Sequence, residues 1–138
     1  NAVLTHNMSF DEARARLAAI DENAADETFW MLVRENCAKV EDAARFVPVA
    51  FGDIEPVIEA EDREFIAAAA KLLPDGDVTS ETWGVWTDKL KSETGRKGKG
   101  LFMPLRKALT GLERGPDVGQ MLVIMGRERA LRRLNATQ

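Results

Sequence analysis

At 138 residues, with 45% apolar and 30% charged side chains, the chain is long enough for one domain, or for two small helical subdomains sharing a core, and too apolar to be disordered. No apolar run approaches the roughly 20 residues that span a bilayer. The N-terminus lacks a basic-then-apolar signal pattern, and the single Cys37 excludes an internal disulfide and fits a reducing cytoplasm. The net charge of −4 conceals an asymmetry. Residues 1–90 hold 8 Lys/Arg against 19 Asp/Glu, a net of −11, and residues 91–138 hold 11 against 4, a net of +7. An excess of that size in the last third points to a polyanion partner, or to an acidic half docking on a basic half of the same molecule.

Residues 1–8 read as an entry strand or linker, and a first residue of Asn rather than Met is expected of a processed chain or a fragment. Ser9 with Glu12 forms a capping box, and Phe10, Ala13, Leu17 and Ile20 then mark one face of a helix. A second helix is expected from about Asp26, its stripe of Phe29, Trp30, Leu32, Val33, Cys37, Val40 and Ala44 continuing to Phe46, with a kink or break at Asn36. Pro48, Gly52 and Pro56 punctuate an expected loop whose Val47, Val49 and Phe51 fold back onto the core. Glu59 to Leu73 reads as a third helix. Thr79 or Ser80 caps a fourth, with Trp83, Trp86 and Leu90 inward and Gly95 as its stop. A helix from Leu101 to Thr110 follows, with Pro104 in its first turn. Pro116 opens another, carrying Val118, Met121, Leu122 and Met125, and Arg127 to Leu134 forms the last. No stretch alternates as a strand does, so the fold class is all-α.

Hydrolytic and metal chemistry find no support. His6, the only histidine, lies in the N-terminal segment and is expected to be structural or solvated. One Cys and one His cannot build a zinc site. No carboxylate pair sits embedded in an apolar pattern as a glycosidase dyad would, and Asp75-Gly76-Asp77 reads as a turn rather than a calcium loop. Gly95 to Gly100 satisfies G-x-x-x-x-G, but Leu101 and Phe102 stand where a P-loop needs Lys and Ser/Thr. No catalytic residue, metal ligand or cofactor is assigned to this chain.

What remains is a basic surface. Arg96, Lys97 and Lys99 occupy the glycine-rich loop, Arg106 and Lys107 the helix after it, and Arg127, Arg129, Arg132 and Arg133 the last helix. A helix N-terminus behind a basic glycine loop suits phosphate, and arginine can also stack on unpaired bases or grip their edges. The competing readings are a solvated last-helix face and a helical protein-interaction module with a basic C-terminal surface. Trp83 and Trp86, three apart on an amphipathic helix, are expected in the core.

TGRKGKGLFMPLRKALTG (94–111), followed by GPDVGQMLVIMGRERALRRL (115–134), resembles the C-terminal end of bacterial glutamyl-tRNA synthetases. LTHNMSFDEARARL (4–17), FWMLVRENCAKVEDAA (29–44) and TWGVWTDKLKSETG (82–95) resemble the preceding helices of that family. The resemblance implies an α-helical cage of two small subdomains, 1–60 and a basic 61–138, that grips a tRNA anticodon loop. It implies a catalytic domain elsewhere that binds ATP and attaches glutamate, since HIGH-like and KMSKS-like signatures are absent here. The expected partner is tRNA(Glu), with tRNA(Gln) as the second candidate, and the expected state is a cytoplasmic monomer. By resemblance Arg106 reads an anticodon base, and Gly115, Pro116 and Val118 contact the middle of the anticodon. An arginine that discriminates the first base in some members falls at or near Asn36, with Arg34 two residues earlier, and another arginine contact falls near Asp88. Both are departures from the family pattern. The expected RNA-binding set is therefore Arg34, Asn36, Arg96, Lys97, Lys99, Arg106, Lys107, Gly115, Pro116, Val118 and Arg127.

Overall fold

The computed structural model describes residues 8–136; His6 and the segment 1–7 lie outside it. Among the described residues there are eight α-helices and no strand. The first, α1 (Phe10–Ile20), starts at the expected capping box. Ser9 Oγ accepts from the Glu12 N–H at 3.2 Å and Glu12 Oε1 accepts from the Ser9 N–H at 3.2 Å, which satisfies two donors that every helix start leaves open. Ala13 and Leu17 are buried. Asp26 caps α2 (Glu27–Val33), whose Phe29, Trp30 and Val33 enter the core.

The second helix does not run to Phe46. It tightens to a 3₁₀ turn over Arg34–Asn36, and Cys37 is extended at φ −116° and ψ 127°. Asp42 Oδ2 holds the break by accepting from the backbone N–H groups of Ala38 and Lys39 at 2.9 and 3.1 Å. A second 3₁₀ helix then spans Val40–Phe46. Three residues per turn bring Val40, Ala43 and Phe46 to one side, and these are the buried ones; Ala44, expected inward at α-helical spacing, is exposed. Arg16 of α1 grips Glu41 on this segment through two N–H groups, at 2.9 and 2.6 Å.

Pro48 does not mark a loop. It sits at the start of a short helix, α3 (Val47–Phe51), where a missing N–H costs no intrahelical bond. Val49 is buried and Phe51 packs on Phe29 with ring centroids 5.1 Å apart, as the fold-back reading expects. After an irregular 53–59 stretch, a 3₁₀ turn at Ala60–Asp62 leads into α4 (Arg63–Leu72), with Phe65, Ile66 and Ala69 buried. Thr79 organises the entry to α5 (Thr82–Thr94): its hydroxyl accepts from the Glu81 N–H at 3.2 Å while Thr82 Oγ1 accepts from its own N–H at 2.9 Å. Trp86 is fully buried, its Nε1 donating to Ala69 O at 3.0 Å. Trp83 is half-buried and lies against the backbone of Gly119, where a Cβ would fall 2.8 Å from the ring; glycine permits that approach.

Helix α6 (Lys99–Thr110) begins two residues earlier than its pattern suggests, so Pro104 is inside it rather than in its first turn. Proline cannot donate to the carbonyl four residues back. That carbonyl, Gly100 O, accepts from Arg96 Nη1 at 3.1 Å instead. Asp117, not Pro116, caps α7 (Val118–Met125), accepting from the Gln120 N–H at 2.9 Å, and α8 (Arg127–Leu134) closes the fold. Trp30, Trp86, Phe29, Leu17, Leu101, Leu105, Leu122 and Leu134 are among the fully buried side chains of one continuous core to which both halves of the chain contribute.

Candidate nucleic-acid interface

The basic residues fall into two groups once their hydrogen bonds are counted. The inward group centres on α8. Arg133 is 4% exposed and donates to Val49 O, Leu109 O, Pro48 O and Gly52 O at 2.7–3.0 Å. Arg129 donates to Ala50 O, Phe51 O and Met125 O at 2.8–3.2 Å. A five-residue helix such as α3 leaves its last carbonyls without intrahelical partners, and their partial negative charge suits a guanidinium fork. Burial, with Arg129 close by, pulls the Arg133 guanidinium down to about 10, still far above neutrality. The expectation that these two arginines crowd an exposed polyanion face is corrected: they pin α8 to α3.

Other cations are paired with the acidic part of the chain. Arg96 Nη1 lies 2.8 Å from Asp62, its Nη2 donates to Glu61 O at 3.3 Å, and its guanidinium sits 4.5 Å from the centre of the Phe65 ring. Lys107 meets Glu59 at 3.2 Å, and Arg127 meets Asp75 at 3.1 Å while donating to Pro74 O at 2.9 Å. Arg34 turns toward the chain entry, donating to Met8 O at 3.0 Å beside Trp30 Nε1 on the same carbonyl. The −11/+7 split is thus partly settled inside the molecule. Lys97 and Lys99 are exposed and have no ion pair among the described residues.

The outward group surrounds a cleft of about 200 Å³ lined by Asn36, Arg45, Phe46, Leu112, Arg114 and Gly115. One wall comes from the break after α2 and the other from the link between α6 and α7. The break matters here, because it turns Asn36 and Arg45 to the same side: Arg45 Nη2 donates to Asn36 O at 2.9 Å, and its guanidinium lies 5.0 Å from the centre of the Phe46 ring. Beside Gly115, next to the lining residues rather than among them, Arg106 Nη1 donates to Pro116 O at 3.0 Å. Gly115 holds φ +154°, a backbone conformation that side-chain-bearing residues rarely adopt, and a Cβ there would lie at ordinary contact distance, 3.6 Å, from that guanidinium and from the Phe46 ring.

Of the residues expected from sequence, Asn36 and Gly115 line this cleft, and Arg106 with its acceptor Pro116 O lies next to Gly115. Val118 is buried at the start of α7, behind it. Arg34, Arg96, Lys107 and Arg127 hold internal contacts away from it, and Lys99 stands seven residues from Arg106, roughly 10 Å along α6. Asp88, expected near a further contact, is exposed on α5 and 4.0 Å from Lys91. Sequence reasoning missed Arg45, Phe46 and Arg114. Their grouping depends on a 3₁₀ segment and an interhelical link that carry no periodic signal, although Arg114 directly precedes the Gly115-Pro116 pair that had been singled out.

The described residues include no cluster of three or more His, Cys, Asp or Glu positioned to hold a metal, and no helix long and apolar enough to cross a membrane. In the Gly95–Gly100 segment Lys99 and Gly100 are already helical, and Arg96 donates to Asp62 and Gly100 O.

A solved glutamate tRNA ligase from Elizabethkingia meningosepticum, in complex with its amino acid, shares the fold with a TM-score of 0.80 at 21% identity, over 99% of this chain and 30% of that one. The chain is 53% identical over 135 residues to glutamate–tRNA ligase 2 of Hyphomonas neptunium and 50% identical over 135 residues to glutamate–tRNA ligase 2 of Methylorubrum populi. Those alignments cover 98% and 97% of this chain and 30% of each relative, so the chain spans about a third of their length. The family model for the anticodon binding domain matches residues 9–138. The chain belongs to the anticodon binding domain family.

Proposed function

We propose that this chain is the anticodon-binding part of a glutamate–tRNA ligase, and that the cleft between the 34–46 segment and the α6–α7 link receives bases of the anticodon loop. The observation that carries the reading is Arg106, whose guanidinium is held by Pro116 O beside Gly115, a lining residue of a cleft that two further arginines, Arg45 and Arg114, also line. An arginine held by one hydrogen bond keeps its other N–H groups for a base edge, and desolvated arginine forks discriminate bases by acceptor pattern. Lys97 and Lys99, exposed at the start of α6, take the sequence-independent part by meeting phosphates. The ligase names and the coverage of 30% support a parent that attaches glutamate to tRNA(Glu), with ATP bound outside this chain. Serving tRNA(Gln) as well, working as a cytoplasmic monomer, and dividing into subdomains at residues 60 and 61 belong to the same proposal.

The test is binding of the 138-residue chain to tRNA(Glu) and to anticodon-swapped tRNA(Glu) at moderate salt, followed by fluorescence anisotropy. The wild-type chain prefers the native anticodon, and Arg106→Glu removes about tenfold or more of that preference. Equal binding to both RNAs would overturn the reading and favour a protein partner for the basic surface.

A further inference from the structure

We infer that Arg45 is a second base-reading residue of this cleft, taking a base that presents two neighbouring acceptors: the N7/O6 edge of guanine or the O2/N3 edge of cytosine. The inference rests on the proposal that the cleft receives anticodon bases. Arg45 is exposed, and it is oriented without being used up. One N–H, on Nη2, goes to Asn36 O, and the guanidinium plane is backed by the Phe46 ring, itself buried. Nε and Nη1 donate to no group among the described residues. This contrasts with Arg129 and Arg133, whose N–H groups are shared among backbone carbonyls.

A guanidinium edge with two parallel donors matches two adjacent acceptors, and pairs poorly with adenine or uracil, whose edges alternate donor and acceptor. Arg114, exposed and without an ion pair among the described residues, adds positive charge at the cleft mouth. Asn36 contributes through its backbone carbonyl, so its amide side chain is not what orients Arg45.

The experiment compares wild type, Arg45→Lys and Arg106→Lys for binding to anticodon stem-loops carrying each of the four bases at each anticodon position. Lysine keeps the charge and loses the fork, so a purely electrostatic or packing role leaves base preference unchanged. The expected result is that Arg45→Lys loses about tenfold of the preference for guanine or cytosine at one position, different from the position affected by Arg106→Lys, with the salt dependence intact. Unchanged base preference in Arg45→Lys while Arg106→Lys loses its own would overturn this inference alone. A lost preference for adenine or uracil would also overturn it. A wild-type chain indifferent to all three positions would overturn the cleft reading as well. Melting of each variant shows that the comparison is made on folded protein.

Discussion

Arg133 of α8 donates to four backbone carbonyls and is buried; Arg45, at the cleft, donates to one and is exposed. The side chains are chemically identical, and what lies opposite them decides the outcome. Arg133 faces the C-terminal end of α3, a helix too short to satisfy its own carbonyls, so a guanidinium there replaces several lost solvent bonds at once. Arg45 faces a break where one carbonyl, Asn36 O, accepts from it, while the Asp42 carboxylate accepts from the N–H groups of Ala38 and Lys39. Positive charge on this chain therefore occurs in two different settings, joined to backbone carbonyls inside the fold and exposed at its surface, and composition alone does not separate them.

The comparison breaks most visibly at Arg133. Replacing it with Met takes the guanidinium donor from the carbonyls of Val49 and Leu109 in a buried place, and from those of Pro48 and Gly52 in a part-buried one. We expect Arg133→Met to lower the unfolding free energy by about 3–5 kcal/mol in urea titration. The fraction that remains folded should keep its base preference; a stable variant with lost RNA discrimination would show α8 to be part of the interface after all. A smaller effect separates free cations from paired ones. Lys97→Glu with Lys99→Glu should weaken binding evenly across RNA sequences and flatten the slope of log affinity against log salt by about 1–2. Arg127→Gln, which removes a side chain already held by Asp75 and Pro74 O, should leave that slope unchanged.

The smallest effect comes from Cys37, which reports on the segment carrying Asn36 and Arg45. Its thiol is 1% exposed, donates to Val33 O at 3.3 Å, and is raised from 9.0 to about 11, first by burial and then by Asp42. A thiol favoured in its neutral form by the fold contributes stability that is fully present below about pH 9 and is lost as pH rises toward about 11. Melting temperature should therefore decline over that window, and a Cys37→Ala variant should lose this part of the decline. At pH 8, alkylation of the native thiol should be slow, and faster in Arg133→Met than in Arg45→Lys if α8 is what holds the halves together.

The helical class, the capping box at Ser9, the cap at Asp26 and the stop at Gly95 were legible because each is written within a few residues. Arg106, Gly115 and Pro116 were singled out through a contiguous family motif, and the fold places Arg106 and Pro116 next to Gly115 at the cleft. The 40–46 segment was misread because a period of three and a period of 3.6 diverge by only about 0.6 position per turn, and the apolar set Val40, Ala43, Ala44 and Phe46 serves either. Pro48 was misread as a breaker because a proline two residues into a helix has the same sequence neighbourhood as one in a loop.

By itself, then, the sequence determined an all-α chain and its acidic and basic division, and it raised the glycine-rich stretch from Gly95 to Leu112 as a candidate approach to an anion. Only the tertiary structure decided which cations are available to one. It folded Arg96 onto Asp62 and Arg133 into α3, and it left Lys97, Lys99, Arg45 and Arg114 outside. The physical reason is that a charge is available only where the surrounding backbone and carboxylates have no unmet need of it. That need is set by helix ends and breaks brought together from positions distant in the chain, 34 residues apart for Arg96 and Asp62 and 84 for Arg133 and Val49.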